Sequence, residues 1–211
     1  MIQEILQYYA QNSSYVFDQV MRHFLMAFYG VLFGTLFCVP LGFYVARKEK
    51  LSRFVRRLGN IIQTVPALAM LSLLIALTGV GANTVVVAIF LYSILPILSN
   101  TITGVNNVQN DVIDVAKGMG MTPFQILWRV ELPLSISFIL GGVRNALVVG
   151  IGVAAVGTFI GAGGLGDIIS RGINVADGSS IIWAGALPTA LMAFVSDRVL
   201  SRVEKSLIQS S

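Results

Sequence analysis

The chain has 211 residues, of which 55% are hydrophobic and 11% charged, against about 25% charged in soluble domains. With a mean hydropathy of +0.81, that balance cannot cover a soluble fold with polar groups and points to an all-α integral membrane protein with no room for a separate soluble domain. The net charge of +4 is clustered rather than spread, and no aromatic interleaving accompanies it, which argues against nucleic acid as a partner.

Residues 1–19 (MIQEILQYYAQNSSYVFDQ) have no basic start and no compact apolar core, so they do not read as a signal peptide. Gln3, Glu4, Gln7, Gln11, Asn12 and Asp18 make a crossing over 2–20 too costly, and an amphipathic segment on the outer surface is expected instead. Five apolar runs follow, at 24–46, 60–78, 84–103, 132–160 and 181–200. Each is near the roughly 20 residues needed to cross about 30 Å of hydrocarbon. Residues 79–83 (GVGAN) make the turn between the second and third, and 201–211 form a tail. The lone Cys38 lies in an apolar run, where a buried inert thiol is expected.

Sidedness follows from the basic residues. Arg47, Lys48, Lys50, Arg53, Arg56 and Arg57 cluster after the first run, and Arg198, Arg202 and Lys205 after the fifth. Taking these as cytoplasmic puts the N-terminus outside and the 104–131 loop, with Lys117 and Arg129, inside; the outer segments then carry only Arg22 and Arg171.

The 104–131 loop carries the strongest signal. Asn110 or Asp111 is placed to cap a short helix running to about Lys117, which Gly118 and Gly120 interrupt. Thr122-Pro123-Phe124-Gln125 restarts it, with Thr as N-cap, Pro at the first helical position and Gln closing a capping box. Span four then begins at Leu132-Pro133. An ordinary loop between spans has no need of this ordered string. A short helix that a soluble partner grips does.

The loop resembles the permease loop of ABC importers, whose pattern is Glu-Ala-Ala, three residues, Gly, nine residues, Ile-x-Leu-Pro. Here Asp114-Val115-Ala116 stands for Glu-Ala-Ala, Gly120 is the glycine, Val130 replaces Ile, and Leu132-Pro133 closes it. Further segments resemble the osmoprotectant branch of these permeases: IQTVPALA at 62–69, FLYSILPI at 90–97, Asn100-Thr101 with Gly104, GVRNA at 142–146 and IGAGGLGD at 160–167. QTVPALA and GAGGLGD are shared with methionine-type permeases. The likeness covers residues 24–200, nearly the whole chain. It implies a type I ABC importer permease fold, methionine-permease-like, with residues 20–200 as the transmembrane domain in a bacterial cytoplasmic membrane. It also implies docking of Asp111, Asp114, Ala116, Lys117, Gly118 and Gly120 on an ATPase subunit. The implied partners are a second permease subunit (identical or paralogous), two ATPase subunits, an external solute-binding protein and membrane lipid. ATP and Mg would sit on the ATPase, and this chain would bind no cofactor. The implied cargo is glycine betaine, carnitine or choline. Methionine or another amino acid is the runner-up, and a stand-alone carrier or channel, or a membrane scaffold, are rivals of another class.

Several residues allow two readings. Pro40, Pro66, Pro96 and Pro188, and Gly141, Gly142, Gly150, Gly152 and Gly157 in span four, fit either close helix packing or kinked helices lining a path. Arg144 lies about 12 residues into span four, roughly 18 Å along its axis. It is expected either to face the path and attract a solute carboxylate, or to tie the helix to carbonyls or to the second permease subunit, because no acidic residue of the chain is expected at that depth. A quaternary ammonium prefers aromatic faces, so Tyr92, Phe90, Tyr44 and Trp183 are candidate contacts, although aromatic residues in spans also serve as packing or anchors. Gly161-x-Gly163-x-x-Gly166 matches a dinucleotide fingerprint but follows no strand. With Gly164 it reads as a flexible external turn into a short helix over 167–172. The sequence has no Walker A pattern and no metal-ligand cluster, and His23 is its only histidine, so the chain is not expected to be an ATPase itself.

Overall fold

The computed structural model describes residues 1–209, all of the ordered elements being helices: α1 (Ile2–Gln11), α2 (Ser13–Ala46), α3 (Glu49–Thr64), α4 (Ala67–Thr78), α5 (Ala82–Asn106), α6 (Asn110–Gly118), α7 (Pro123–Ile126), α8 (Leu132–Val156), α9 (Leu165–Ile173) and α10 (Ser179–Gln209). Among the described residues four helices are long and apolar enough to cross a membrane, or five when the bent pair α3–α4 is counted as one broken span.

α5 is the axis of the bundle, with α2 along one side and α8 along the other. Both neighbours present small residues at every fourth position. On α2 these are Gly30, Gly34, Cys38 and Gly42; on α8 they are Gly142, Ala146, Gly150 and Ala154. A methyl group on Gly30 would stand 2.5 Å from Ile89, one on Gly42 2.5 Å from Thr101, and one on Gly142 2.7 Å from the Pro96 carbonyl oxygen. Apolar side chains gain little by leaving lipid for protein, so close backbone approach along small-residue ridges holds these helices together. The packing reading therefore holds for Gly142, Gly150 and Gly157, whereas Gly141 and Gly152 face open space.

Prolines inside membrane helices leave a carbonyl without its donor four residues on. Two such carbonyls are filled from neighbouring elements. Pro96 frees the Tyr92 carbonyl, which accepts from Gln63 Nε2 of α3 at 3.1 Å. Pro188 frees the Ala184 carbonyl, which accepts from the Tyr9 hydroxyl of α1 at 3.0 Å.

Several boundaries differ from the sequence reading. The first span is not confined to 24–46: α2 starts at Ser13, so a division at 19/20 falls inside a continuous helix. Among the polar residues at 13–19, Tyr15 finds a partner in Asp167 on α9 and Gln19 in Gly164 just before it. The run 60–78 is not one straight helix. α3 begins at Glu49, and the chain bends by 100° at Val65-Pro66 before α4, since proline forces its predecessor out of helical geometry. Span four begins nine residues before 132: α7, a π-helical turn (Leu127–Glu131), α8 and a closing 3-10 turn (Gly157–Ile160) run continuously, as one 38-residue element over Pro123–Ile160. Pro133 cannot donate to the Arg129 carbonyl, and the wider turn just before it accommodates that loss. Residues 201–209 of the expected tail continue α10, while 210–211 lie outside the described residues.

Candidate functional site

The 104–131 loop folds as a compact two-helix cap at one end of the bundle. The N-cap of α6 is Gln109, without a side-chain bond, rather than Asn110 or Asp111; Asp111 instead sits in the first turn and Lys117 in the last, where each suits the helix dipole. Ile113 and Ala116 turn inward and pack with Val108 and Ile126 in a small core. Gly120, at φ +77°, closes the helix. Its N–H donates to the Lys117 carbonyl at 2.9 Å and that of Met121 reaches back to Ala116 at 3.2 Å, a Schellman ending that needs the left-handed conformation. The expected capping box is present, with Gln125 N–H donating to Thr122 Oγ1 at 3.3 Å and Thr122 N–H to Gln125 Oε1 at 2.8 Å.

Of the six residues expected to dock, Asp111, Asp114, Lys117, Gly118 and Gly120 are exposed and Ala116 is buried. Lys117 Nζ lies 3.0 Å from Asp114 Oδ1, an exposed pair open to exchange for a partner's charges. The sequence reading missed the apolar part of this surface. Val115, Met119 and Phe124 are 63%, 78% and 71% exposed, and Val112 joins them on the outer face of α6. The helical spacing of Val112, Val115 and Met119, beside the inward Ile113 and Ala116, was a readable signal. Also missed was the anchor beneath. Glu131 is nearly buried and accepts from Arg47 Nε at 3.1 Å and from a second guanidinium nitrogen, fixing the base of the loop to the end of α2.

The candidate path residues are not gathered on one surface. Tyr92 and Pro66 are neighbours: the buried Tyr92 hydroxyl donates to the Val65 carbonyl at the bend, while Gln63 donates to the Tyr92 carbonyl. Phe90 packs edge-on against Phe37 at 5.8 Å, and Trp183 stands half-exposed near the start of α10. Arg144 has acidic partners, against expectation. Its Nε lies 3.0 Å from Asp197 Oδ1 and one terminal nitrogen 3.2 Å from Glu204 Oε2, both on α10. Counting depth from Leu132 alone misplaced it relative to α10, which continues past 200 and carries its carboxylates to that level.

At the opposite end, Gly161, Gly163 and Gly164 all take positive φ, and a methyl on Gly166 would meet the Ala155 carbonyl oxygen at 2.0 Å. The turn is tied down rather than loose. α9 begins at Leu165, two residues earlier than expected, and its first N–H groups are capped from α2: Gly164 N–H donates to Gln19 Oε1 at 2.6 Å and Leu165 N–H to His23 Nδ1 at 3.1 Å. That bond puts the imidazole proton on Nε2, which donates to the Ile151 carbonyl at 2.9 Å. Asp167 joins Tyr15 to Arg171, whose guanidinium lies over the Tyr15 ring at 4.6 Å.

A short exposed amphipathic helix stands at one end, a small-residue bundle between and a capped glycine turn at the other. Residues 38–209 match the family model of the binding-protein-dependent transport system inner membrane component. The chain belongs to this family. It is thus a multi-pass inner-membrane component of an ABC transport system. It is 53% identical over 206 residues (98% of this chain, 92% of the relative) to the carnitine transport permease protein OpuCD of Listeria monocytogenes serotype 1/2a (strain 10403S). It is 52% identical over 206 residues (98% and 90%) to the glycine betaine/carnitine/choline transport system permease protein OpuCD of Bacillus subtilis (strain 168). Its fold matches the inward-facing MetNI methionine ABC transporter with TM-score 0.82 at 22% identity, covering 91% of this chain and 95% of that one. The all-helical type I permease fold expected from the sequence is the fold found.

Proposed function

We propose that this chain is the transmembrane permease subunit of an ATP-driven importer for osmoprotectants such as glycine betaine, carnitine or choline. In this reading it pairs with a second permease subunit, a copy or a paralogue, and works with two ATPase subunits and an external solute-binding protein. The N-terminus and residues 1–19 lie outside, and the 104–131 loop and the tail from 201 lie inside. ATP and Mg belong to the ATPase subunits, which hydrolyse the nucleotide, and this chain binds no cofactor. The observation that carries the proposal is α6, an amphipathic helix mounted at the head of the continuous Pro123–Ile160 element.

Val112, Val115 and Met119 form the apolar centre of the docking face, Asp111, Asp114 and Lys117 its charged rim, and Gly118 and Gly120 allow close backbone approach. Ala116 serves the face from behind, by packing. Closure of the ATPase dimer on ATP displaces α6, tilts the element behind it and changes which end of the path is open. The path runs beside the α3–α4 bend, where Pro66 and Tyr92 sit, with Phe90 and Trp183 as further candidates. Arg144, already paired twice by carboxylates, acts as a structural tie and not as a solute ligand. The glycine turn 161–166 presents α9 toward the binding protein. Few polar groups line the spans, so selection of the solute rests mainly with the binding protein.

The test is uptake of labelled glycine betaine, carnitine, choline and methionine in cells lacking other osmolyte systems and expressing the complete transporter. Uptake of a quaternary amine, abolished by the double substitution Asp114→Arg and Gly120→Val with membrane insertion intact, supports the proposal. Methionine uptake alone overturns the cargo, and normal uptake by the double variant overturns the docking role.

A further inference from the structure

α3 does three different things with its three faces. One face packs on α5: Ser52 and Gly59 are buried, Arg56 donates to Ser99 Oγ at 2.9 Å and Thr103 Oγ1 at 3.2 Å, and Gln63 donates to the Tyr92 carbonyl. The exposed remainder divides lengthwise. Phe54, Leu58 and Ile61 form an apolar strip, 58%, 43% and 63% exposed. Lys50, Arg53 and Arg57 form a basic strip beside it, and with Phe54 they line a shallow recess. The only ion pair of this strip among the described residues is Arg53 with Glu49, at 3.5 Å with both side chains solvent-exposed, which holds little.

The bend explains the division. α4 carries no charged residue and its neighbours are apolar, so it belongs in hydrocarbon. In α3, which precedes the 100° bend, Glu49, Lys50, Arg53, Arg56 and Arg57 all fall before Leu58, so its first half does not. Its bonds run back along α5 from Tyr92 to Thr103, which sets that basic first half at the same end of α5 as the 104–131 loop, and a split apolar and basic surface there is what a helix entering the interface presents to lipid. The six-residue basic cluster that the sequence offered as a mark of sidedness thus separates into parts: Arg47 and Arg56 are spent on internal contacts with Glu131, Ser99 and Thr103, Lys48 lies over the Tyr44 ring, and Lys50, Arg53 and Arg57 point outward.

We propose that α3 is a lipid-recognition helix that holds anionic phospholipid headgroups in the recess formed by Lys50, Arg53 and Arg57, with Phe54, Leu58 and Ile61 inserted among the acyl chains beneath. A soluble phosphate would have no use for the apolar strip. A lipid with a phosphodiester and a net negative charge satisfies both strips at once. The inference needs only that the chain is embedded in a bilayer and is independent of the solute carried.

The test uses the full transporter reconstituted in bilayers of zwitterionic phosphatidylcholine doped with brominated phosphatidylglycerol or brominated phosphatidylcholine. Quenching of a tryptophan introduced by Phe54→Trp is read against the parent protein, whose Trp128 and Trp183 set the background. Quenching by the anionic lipid should exceed that by the zwitterionic lipid, with a preference of at least about tenfold at low salt. Lys50→Gln, Arg53→Gln and Arg57→Gln together should bring the two lipids level, while the charge-keeping set Lys50→Arg, Arg53→Lys and Arg57→Lys should retain the preference. Equal quenching by both lipids in the Phe54→Trp protein overturns the proposal. So does an unchanged preference in the neutralised variant, loss of the preference on adding inorganic phosphate at constant ionic strength, or a neutralised variant whose sole defect is loss of the ATPase subunits on purification.

Discussion

Replacing His23 separates two hydrogen bonds of unequal value. The imidazole is fully buried, accepts from Leu165 N–H at 3.1 Å and donates to the Ile151 carbonyl at 2.9 Å. Leu165 opens α9 and has no partner within its own helix, so losing His23 Nδ1 leaves a buried donor unmet, at about 1–3 kcal/mol. Ile151 lies inside α8, where its carbonyl also has the helical bond available, so losing Nε2 costs nearer 0.5–1.5 kcal/mol, an approximate range. His23→Leu, close in volume, should cost about 2–4 kcal/mol. His23→Asn keeps an oxygen near the Nδ1 position and should cost least, while His23→Gln reaches toward Ile151, abandons Leu165 and should fall between. At about 2–4 °C per kcal/mol for a chain of this size, His23→Leu should lower the melting temperature of the purified protein in detergent by about 4–16 °C. The opposing expectation comes from interhelical hydrogen bonds in membranes, which average about 0.6 kcal/mol each because the unfolded chain finds other partners in the membrane. A loss under about 2 °C for His23→Leu, or Asn ranking below Gln, would refute the capping argument.

Three further outcomes follow from the geometry. Arg144→Leu should destabilise by about 1–3 kcal/mol by leaving Asp197 and Glu204 facing one another, and the triple variant with Asp197→Leu and Glu204→Gln should recover most of it in thermal unfolding, with the KM for uptake unchanged throughout. Val115→Asp with Met119→Asp should reduce ATP-driven uptake and ATPase co-purification by about tenfold or more without changing membrane insertion, whereas Ala116→Asp, placed in the small core behind, should lower the yield of folded protein. Gly166→Ala should prevent folding or cost upwards of about 3 kcal/mol, because its methyl would overlap the Ala155 carbonyl, while Gly152→Ala, facing open space, should be neutral or stabilising by up to about 1 kcal/mol in the same melting assay.

What could be read from the sequence was local. The capping box at Thr122 and Gln125 and the closing glycine at 120 act within a few residues, so their chemistry is written in the order of the chain. The presence and number of the apolar runs was legible for the same reason. A kink at Pro66 was one of two readings the proline allowed, but the 100° angle was not legible, because the run through 60–78 has the same composition whether the helix is slightly kinked or sharply folded there. The pairing of His23 and Gln19 with residues some 142 and 145 positions away depends on how α2 and α9 meet. Arg144 was readable as exceptional, since a cation in a span demands a partner, but Asp197 was counted too near the end of the fifth run to reach it and Glu204 was hidden by ending that run at 200. In each case the polar group announced a need, and only the packed bundle named what met it.

The unbroken element over Pro123–Ile160 has a mechanical corollary. Along it, methyl groups on Gly142, Gly150 and Gly157 would each press into α5, against Pro96, Ile89 and Val85. At 1.5 Å per residue, these contacts run over about 22 Å of the element. A rod seated along a line has no single pivot, so a sideways push at Phe124 should travel into its neighbour as a shared shift of both rods instead of a swing of one about the other.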